Sequence, residues 1–419
     1  MKSLRWWLGL GPTPLVVSAL ICLWALLDLA ANRELENHIT RLRGQGVPIR
    51  LVQIPQPEIP EDRNAAPLYA EAAALAAPIS RDSFSAAGLR TPWSIRPAPI
   101  FEQPARQWVV RNRRPLELLL RADAMPECRQ RVDLEAWRLG SSRVFDSFHL
   151  LGILEAATRV AHWDGDDERV DRLFAAGLRL QRSHTGAPGL YEMWTRVLEF
   201  QVAIDRCLDA MNDGFIPGPL LRKAIQDLPS GRCQSELAGA LREEQILFLE
   251  EALGGRMDHG RNLPRSGIQA LVWKVARPFT IRNIAHGLST SERLREAGSK
   301  PAEELLHLTA FLELEHLGRL PSNIDICNSI FGNVRRVLTA DLYAQVLRAA
   351  LEGLGSRDAE GVWPDTWPAL DSLRNPATGE PLSRRREGRV LVVTLAERWS
   401  GPGYWMPEVE VKFSPFAGK

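Results

Sequence analysis

From Trp6 to Leu27 the chain carries 22 consecutive residues without a formal charge, closed by Arg5 on one side and Asp28 on the other. As a helix at about 1.5 Å per residue this stretch reaches roughly 33 Å, close to the ~30 Å hydrocarbon thickness of a bilayer. Leucine, valine, isoleucine and alanine dominate Leu15 to Leu27, with Trp24 among them, and Trp6 and Trp7 suit an interfacial belt. The length and apolarity weigh against a buried helix of a water-soluble domain, so residues 6–27 are expected to contact the lipid bilayer as a span.

A removable signal peptide is the competing reading. Cleavage requires small residues at the minus-three and minus-one positions. Cutting after Ala30 puts Asp28 at minus three, and cutting after Ala31 puts Leu29 there, so an uncleaved anchor is favoured. Bulky Ile21 before Cys22 argues against a lipoprotein signal. Lys2 and Arg5 favour a cytoplasmic N-terminus, although Arg33, Arg41 and Arg43 stand on the far flank against Glu34 and Glu36. The other long apolar stretch, Ile268 to Ile281, is shorter and holds Lys274 and Arg277, and it reads as a core helix.

Beyond the anchor the chain has length for one large or two modest domains. Its apolar and charged fractions, 45% and 25%, are ordinary for a globular protein. A net charge of +1 supplies no global field for nucleic acid or for cations. The sharpest basic cluster, Arg111, Arg113 and Arg114, reads as a solvated helix face, with a phosphate or lipid headgroup site as the alternative. The cysteines Cys22, Cys128, Cys207, Cys233 and Cys327 show neither CxxC nor zinc-ligand spacing. Buried thiols are the default, and a bridge such as Cys207–Cys233 is permitted but not implied.

Pattern divides the chain into an anchor (1–31), an extended proline-bearing tether (32–60) whose first dozen residues continue the anchor helix, a helical body (61–355) and a small tail module (356–419). Asn64 suits an N-cap before a helix to about Ala77, and Pro78 to Pro104 reads as a long irregular loop. Val144, Phe148, Leu151 and Leu154 recur at helical spacing before an Asp164-Gly165 turn. Asp166, Asp167 and Glu168 suit the positive start of the next helix, which buries Val170, Leu173, Phe174 and Leu178. A third helix aligns Leu190, Trp194, Val197, Leu198, Ile204 and Leu208. Further helices are expected over 217–228, 234–253, 267–284, 289–297, 301–318 and 328–354, the last closed by Gly355. The shared core of the 170s and 190s helices is expected to hold Leu173, Phe174, Leu178, Trp194, Val197 and Leu198, with Arg179 and Arg196 outside. The fold class is therefore mainly α: a transmembrane helix, a stacked α-hairpin body with tetratricopeptide-like packing, and a small β-containing C-terminal module with strands at 389–396 and 408–413.

This layout resembles a widespread group of bacterial, planctomycete-type membrane-anchored helical proteins. The matching features are the anchor and proline-rich tether, Asn64-Ala65-Ala66 with Tyr69, the Asp164-Gly165-Asp166 turn, and Pro376 to Leu382 before a strand. That last turn also resembles the C-terminal end of type II secretion pseudopilins. The resemblance implies architecture and brings no catalytic residue. A Gly- and Asp-rich ending found in that group is replaced here by Trp399 to Lys419, which removes support for a calcium site there.

No constellation carries chemistry. Glu304/His307 and Glu313/His316 are Glu-x-x-His units, but nine residues along one helix turns the second about half a revolution from the first. Asp164 to Glu168 lacks the order of a calcium loop. There is no His-Glu-x-x-His, Gly-x-Ser-x-Gly or phosphate-binding glycine loop. Ser289-Thr290-Ser291-Glu292 reads as a capping box, and Trp363, Trp367, Trp399 and Trp405 as core before ligand face. No catalytic, cofactor-binding or metal residue is expected, and no nucleic-acid partner. The expectation is an interaction scaffold on the outer side of a bacterial inner membrane, single-pass, with a protein partner of unknown identity. A secretion- or pilus-type component, or an enzyme whose site is assembled from dispersed residues, are the alternatives.

Overall fold

The computed structural model describes residues 13–54, 56, 58–77, 93, 98–130, 147–180, 189–228, 232–254, 267–317, 326–357, 362–375, 379–396 and 409–413. Helix α1 runs from Thr13 to Gly44 and is followed by a 3-10 turn at Leu51–Gln53. Then come α2 (Ala66–Leu75), α3 (Pro99–Arg111), α4 (Arg113–Ala122), α5 (Ser147–Trp163), α6 (Asp167–Leu180) and α7 (Leu190–Asn212). They lead into α8 (Pro219–Gln226), α9 (Arg232–Gly254), α10 (Gly267–Ala297), α11 (Ala302–Leu317) and α12 (Ile326–Gly353). A one-turn α13 (Pro368–Asp371) and strands β1 (Ser383–Glu387), β2 (Val390–Ala396) and β3 (Val409–Phe413) complete the described chain.

Local chemistry sets most boundaries. Gly165 takes the left-handed conformation (φ 72°) that turns α5 into α6, and Asp166 caps α6 by accepting the amide of Arg169 at 3.1 Å. Other helix starts are capped from a distance. Asp171 of α6 accepts the amides of Leu220 (2.9 Å) and Leu221 (3.1 Å) at the head of α8. Glu243 and Glu244 of α9 accept those of Gly189 (3.0 Å) and Leu190 (2.9 Å) at the head of α7. Orphan amides at a helix start need such acceptors, so these carboxylates also lock one helix against another.

Two large apolar cores result, beside a small third cluster of Ala105, Ala156 and Trp163 where α3 meets α5. The first gathers α2, α4, α5, α6, α8, the C-terminal halves of α7 and α12, and the tail sheet. The second gathers Ala31, Leu35, Ile39 and Leu42 of α1 with α9, α10, α11 and the N-terminal halves of α7 and α12. Helices α7 and α12 thread both cores and pack on each other, forming a spine. Hairpins such as α5–α6 and α9–α10 are present, yet α1 packs chiefly on α10, far away in sequence. A pure ladder of nearest neighbours would contain no such pairing.

The tail sheet has the order β1-β2-β3, antiparallel throughout, with a bulge between Thr394 and Ala396. Leu391, Val392, Val393 and Leu395 of central β2 are buried, and β1 is exposed along its length. Trp363 stacks on Trp367 (ring centroids 4.9 Å apart), and Phe413 meets both edge-on. The tail therefore shares the first core with the helical body, and these two tryptophans are core. Trp399 and Trp405 lie outside the described residues.

Several expectations need correction. The anchor helix continues past residue 32 as expected and ends at Gly44, but its second half is packed into the second core rather than leading to a free tether, and Ile49 is buried as well. The irregular stretch expected to Pro104 gives way to α3 at Pro99, because proline is tolerated in a first helical turn. The stretches 267–284 and 289–297 are one helix, α10, so Ser289 to Glu292 lie inside it and cap nothing. Leu173, Phe174 and Leu178 belong to the first core and Val197 to the second, so they share no single core. The side chain of Trp194 is not described, and Leu198 is half-buried. Arg179 and Arg196 are not bare surface either: they pair with Asp123 (3.0 Å) and Glu236 (3.1 Å).

Candidate functional site

Two regions stand out, the free half of α1 and a recessed cluster of charges in the first core. Helix α1 changes character at Asp28. Leu15, Leu20, Ile21, Leu23 and Leu26 are each more than half exposed, and residues 15–23 show no covered face. This is the one helix among the described residues long and apolar enough to cross a membrane. In water such a surface costs about 25 cal/mol per Å2 of apolar area, whereas a bilayer takes it at no such cost. Asp28 marks the transition, because Arg277 of α10 donates to both its carboxylate oxygens (2.7 and 2.5 Å) and reaches Asn32 at 3.3 Å. One helical stretch further, Arg41 pairs with the buried Glu292 of α10 and lies 2.7 Å from His38. Burial and the Arg41 charge hold the His38 imidazole below its usual range. As 28 pairs with 277 and 41 with 292, the two helices run parallel along this seam.

The charged cluster sits where α5 faces α7. Glu155 lies 2.7 Å from Arg206 and 3.6 Å from Arg159, and the side chains of Glu155 and Arg159 are each 8% exposed. The Arg159 guanidinium lies 4.5 Å over the ring of Trp93. Trp93 is itself held by its main chain, its amide donating to Asp213 and its carbonyl lying 3.0 Å from His162 Nε2. Its ring packs on Phe174 (5.1 Å). On α7, Asp205 and Asp209 follow at one-turn spacing, and both are exposed residues. Desolvation by the neighbouring protein still pushes the Asp205 carboxyl up to about 7, with the Asp209 charge adding and Arg206 opposing. Burial also raises Asp209, with Asp213 adding. Burial pushes up the Tyr343 hydroxyl and the Cys207 thiol, and it lowers the Arg159 guanidinium against the pull of Glu155.

A carboxyl poised near neutrality can exchange a proton at physiological pH. Access limits what else it does. The cavity bounded by Trp93, Glu155, Arg206 and Cys207 measures about 30 Å3, room for one water and not for a substrate. A larger groove of about 370 Å3 lies elsewhere, between Gln56–Glu61 and the start of α2. Asn64 builds its wall by accepting the amides of Ala66 (3.1 Å) and Arg129 (2.9 Å) while donating to the Arg129 carbonyl (2.9 Å). The N-cap of α2 is Ala65 rather than Asn64, which stands one residue earlier and forms a latch joining two segments.

The motifs weighed in the sequence are dispersed. Glu313 is buried in an ion pair with Arg335, Glu304 pairs with Lys300 at 3.3 Å, and His307 lies 3.8 Å from Glu303. The side chain of His316 is not described. Asp164 forms a fork with Arg106 at 2.6 and 3.1 Å. Arg113 and Arg114 pair with Glu117 and Glu71 on an exposed face. Among the described residues no group of three or more histidine, cysteine or acidic side chains is placed to hold a metal ion. Cys207 is a free thiol facing the first core. The Glu155–Arg159–Arg206–Asp205–Asp209 cluster escaped the sequence reading; its trace there is two one-turn charged spacings, Glu155/Arg159 and Asp205/Asp209.

No protein-family model, curated protein or solved structure matches this chain.

Proposed function

We propose that the protein is a membrane-anchored, extracytoplasmic helical scaffold. Residues 6–27 span the inner membrane of a bacterium, and the helical body presents its surface to a protein partner. The observation that carries this reading is the two-part character of α1, apolar and uncovered before Asp28 and welded into the second core after it. A flexible tether would let the body wander from the membrane. A continuous helix with a seam on α10 holds it at a fixed height instead. The likeness to planctomycete-type anchored proteins, with tetratricopeptide-like hairpins, belongs to the same proposal. The groove beside Asn64 is half open and mixes apolar residues such as Ile59 and Pro67 with polar ones such as Glu58 and Gln130, which suits a peptide segment better than an enclosed substrate.

The poised Asp205 carboxyl favours a second reading, an enzyme with a site assembled from α5 and α7. The small cavity beside it weighs against that reading. Alkaline phosphatase fused after Lys419 is expected to be active, and an inactive fusion with an active cytoplasmic reporter would reverse the orientation. Crosslinking in native membranes, with a photoreactive residue at Glu58 in the groove, is expected to capture a discrete protein. Capture only of lipid, or nothing, would count against the scaffold.

A further inference from the structure

The groove beside Asn64 owes its space to small side chains. Ala66 and Ala70 stand one turn apart on the same face of α2, and Pro67 and Ile59 complete the apolar lining. Its volume of about 370 Å3 falls within the roughly 300–1,000 Å3 usual for ligand sites. Two charged residues line it without spending their charge on the fold. Asn64 grips Arg129 through the main chain alone, accepting from its amide and donating to its carbonyl, so the latch leaves the guanidinium unused. Glu61 likewise enters the turn into α2 by its carbonyl, which accepts the Asn64 amide at 3.4 Å. Among the described residues neither side chain has a hydrogen-bond or ion-pair partner, whereas nearby Arg63 and Glu127 pair with each other. Arg129 is also half-buried. A guanidinium held partly out of water gains more from a charge-assisted pair than one in open solvent. Glu58 places a second carboxylate in the same groove. A simple anion would be repelled by the glutamates and a simple cation by Arg129, so charge complementarity selects a ligand carrying both signs.

We propose that this groove binds an extended segment of a partner protein, which presents an acidic side chain to Arg129 and a basic side chain to Glu61. The apolar atoms between them rest on the floor of Ala66 and Ala70. Because the groove is half open, the segment passes through it rather than ending in it, and the carboxylate is that of a side chain. The planar guanidinium can take that carboxylate as a bidentate pair. The inference rests on the reading of the groove as the peptide site of a scaffold. It adds the chemistry that is recognised there, mixed charge over a small apolar contact.

The test uses the full chain in nanodiscs of phosphatidylcholine and three acetylated, amidated nine-residue peptides, repeats of Lys-Ala-Glu, Gln-Ala-Glu and Lys-Ala-Gln. The first presents both charges in every register, and peptides this short stay largely without helix in water. Calorimetric titration is expected to show saturable binding of the Lys-Ala-Glu peptide, about fivefold or more tighter than either single-charge peptide. Arg129→Gln should erase its advantage over Lys-Ala-Gln, and Glu61→Gln should reduce its advantage over Gln-Ala-Glu. Neither variant should shift the unfolding midpoint, so the loss of selectivity is separable from a loss of fold. Ala70→Trp, which fills the floor, should abolish binding of all three. Equal affinity for the three peptides, a preference for a single-charge peptide, or no saturable binding overturns the inference. Selectivity that survives Arg129→Gln overturns it too. If any of these results accompanies capture of a discrete protein by crosslinking from Glu58, the peptide groove stands and its charge rule falls. If the crosslinking fails as well, the groove reading falls with the inference.

Discussion

At the scale of single residues, the cluster between α5 and α7 makes a signed prediction about pH. Asp205 has an ordinary value of 3.8 when unfolded and about 7 when folded. Between those values the folded state keeps a proton that the unfolded state has lost, so this carboxyl makes stability fall as pH rises through the window. Asp205→Asn removes that slope. Relative to the parent, the variant should gain stability at pH 8 and show little change at pH 4, read from denaturant midpoints. A difference that stays constant with pH would show that the carboxyl is not shifted. Packing gives a second prediction. Phe174 is 7% exposed between Trp93 and Phe215, so Phe174→Ala should cost about 3–5 kcal/mol by leaving a cavity. Arg172→Ala, on the exposed face of the same helix, should stay within about 0.5 kcal/mol. Equal shifts in the unfolding midpoint would mean that the helix phase is wrong. Arg172 serves as the comparison because Arg179 is engaged with Asp123.

Among the elements, α1 carries the most weight. Its two halves should respond oppositely to the same change. Leu35→Ala, in the seam with α10, is expected to cost about 2–5 kcal/mol of body stability, whereas Leu20→Ala should leave the unfolding of the body unmoved. Calorimetry in a mild detergent separates the two, and equal effects would contradict the division at Asp28. Helices with apolar periodicity, such as α5 and α6, were legible from spacing alone, as were β2 and β3 from their β-branched runs. Strand β1 was not legible, because Ser383, Arg384, Arg385, Arg386 and Glu387 carry no apolar face. Its arginines are accounted for by Asp371, Glu410 and Asp365 across the tail. The continuity of α10 was hidden by a Ser-Thr-Ser-Glu run that imitates a helix start. Nor does local pattern announce that α1 meets α10, since partners some 250 positions apart leave no periodic trace in either segment.

For the whole molecule, the two cores joined by α7 and α12 mean that anchor, body and tail sheet form one packed object. The chemistry of the candidate cluster was illegible for the same reason that the long-range seams were: Glu155 and Arg159 come from α5, Asp205 and Asp209 from α7, and only folding brings them together. The central claim is that residues before Asp28 belong to the membrane and those after it to the body. The most direct measurement compares the full chain with one beginning at Asp28, in membranes washed with alkaline carbonate, followed by thermal unfolding of whatever is released. The account predicts that the full chain stays in the pellet, while the shorter chain enters the supernatant and still unfolds cooperatively. Release of the full chain, or retention of the shorter one in the pellet, would contradict it.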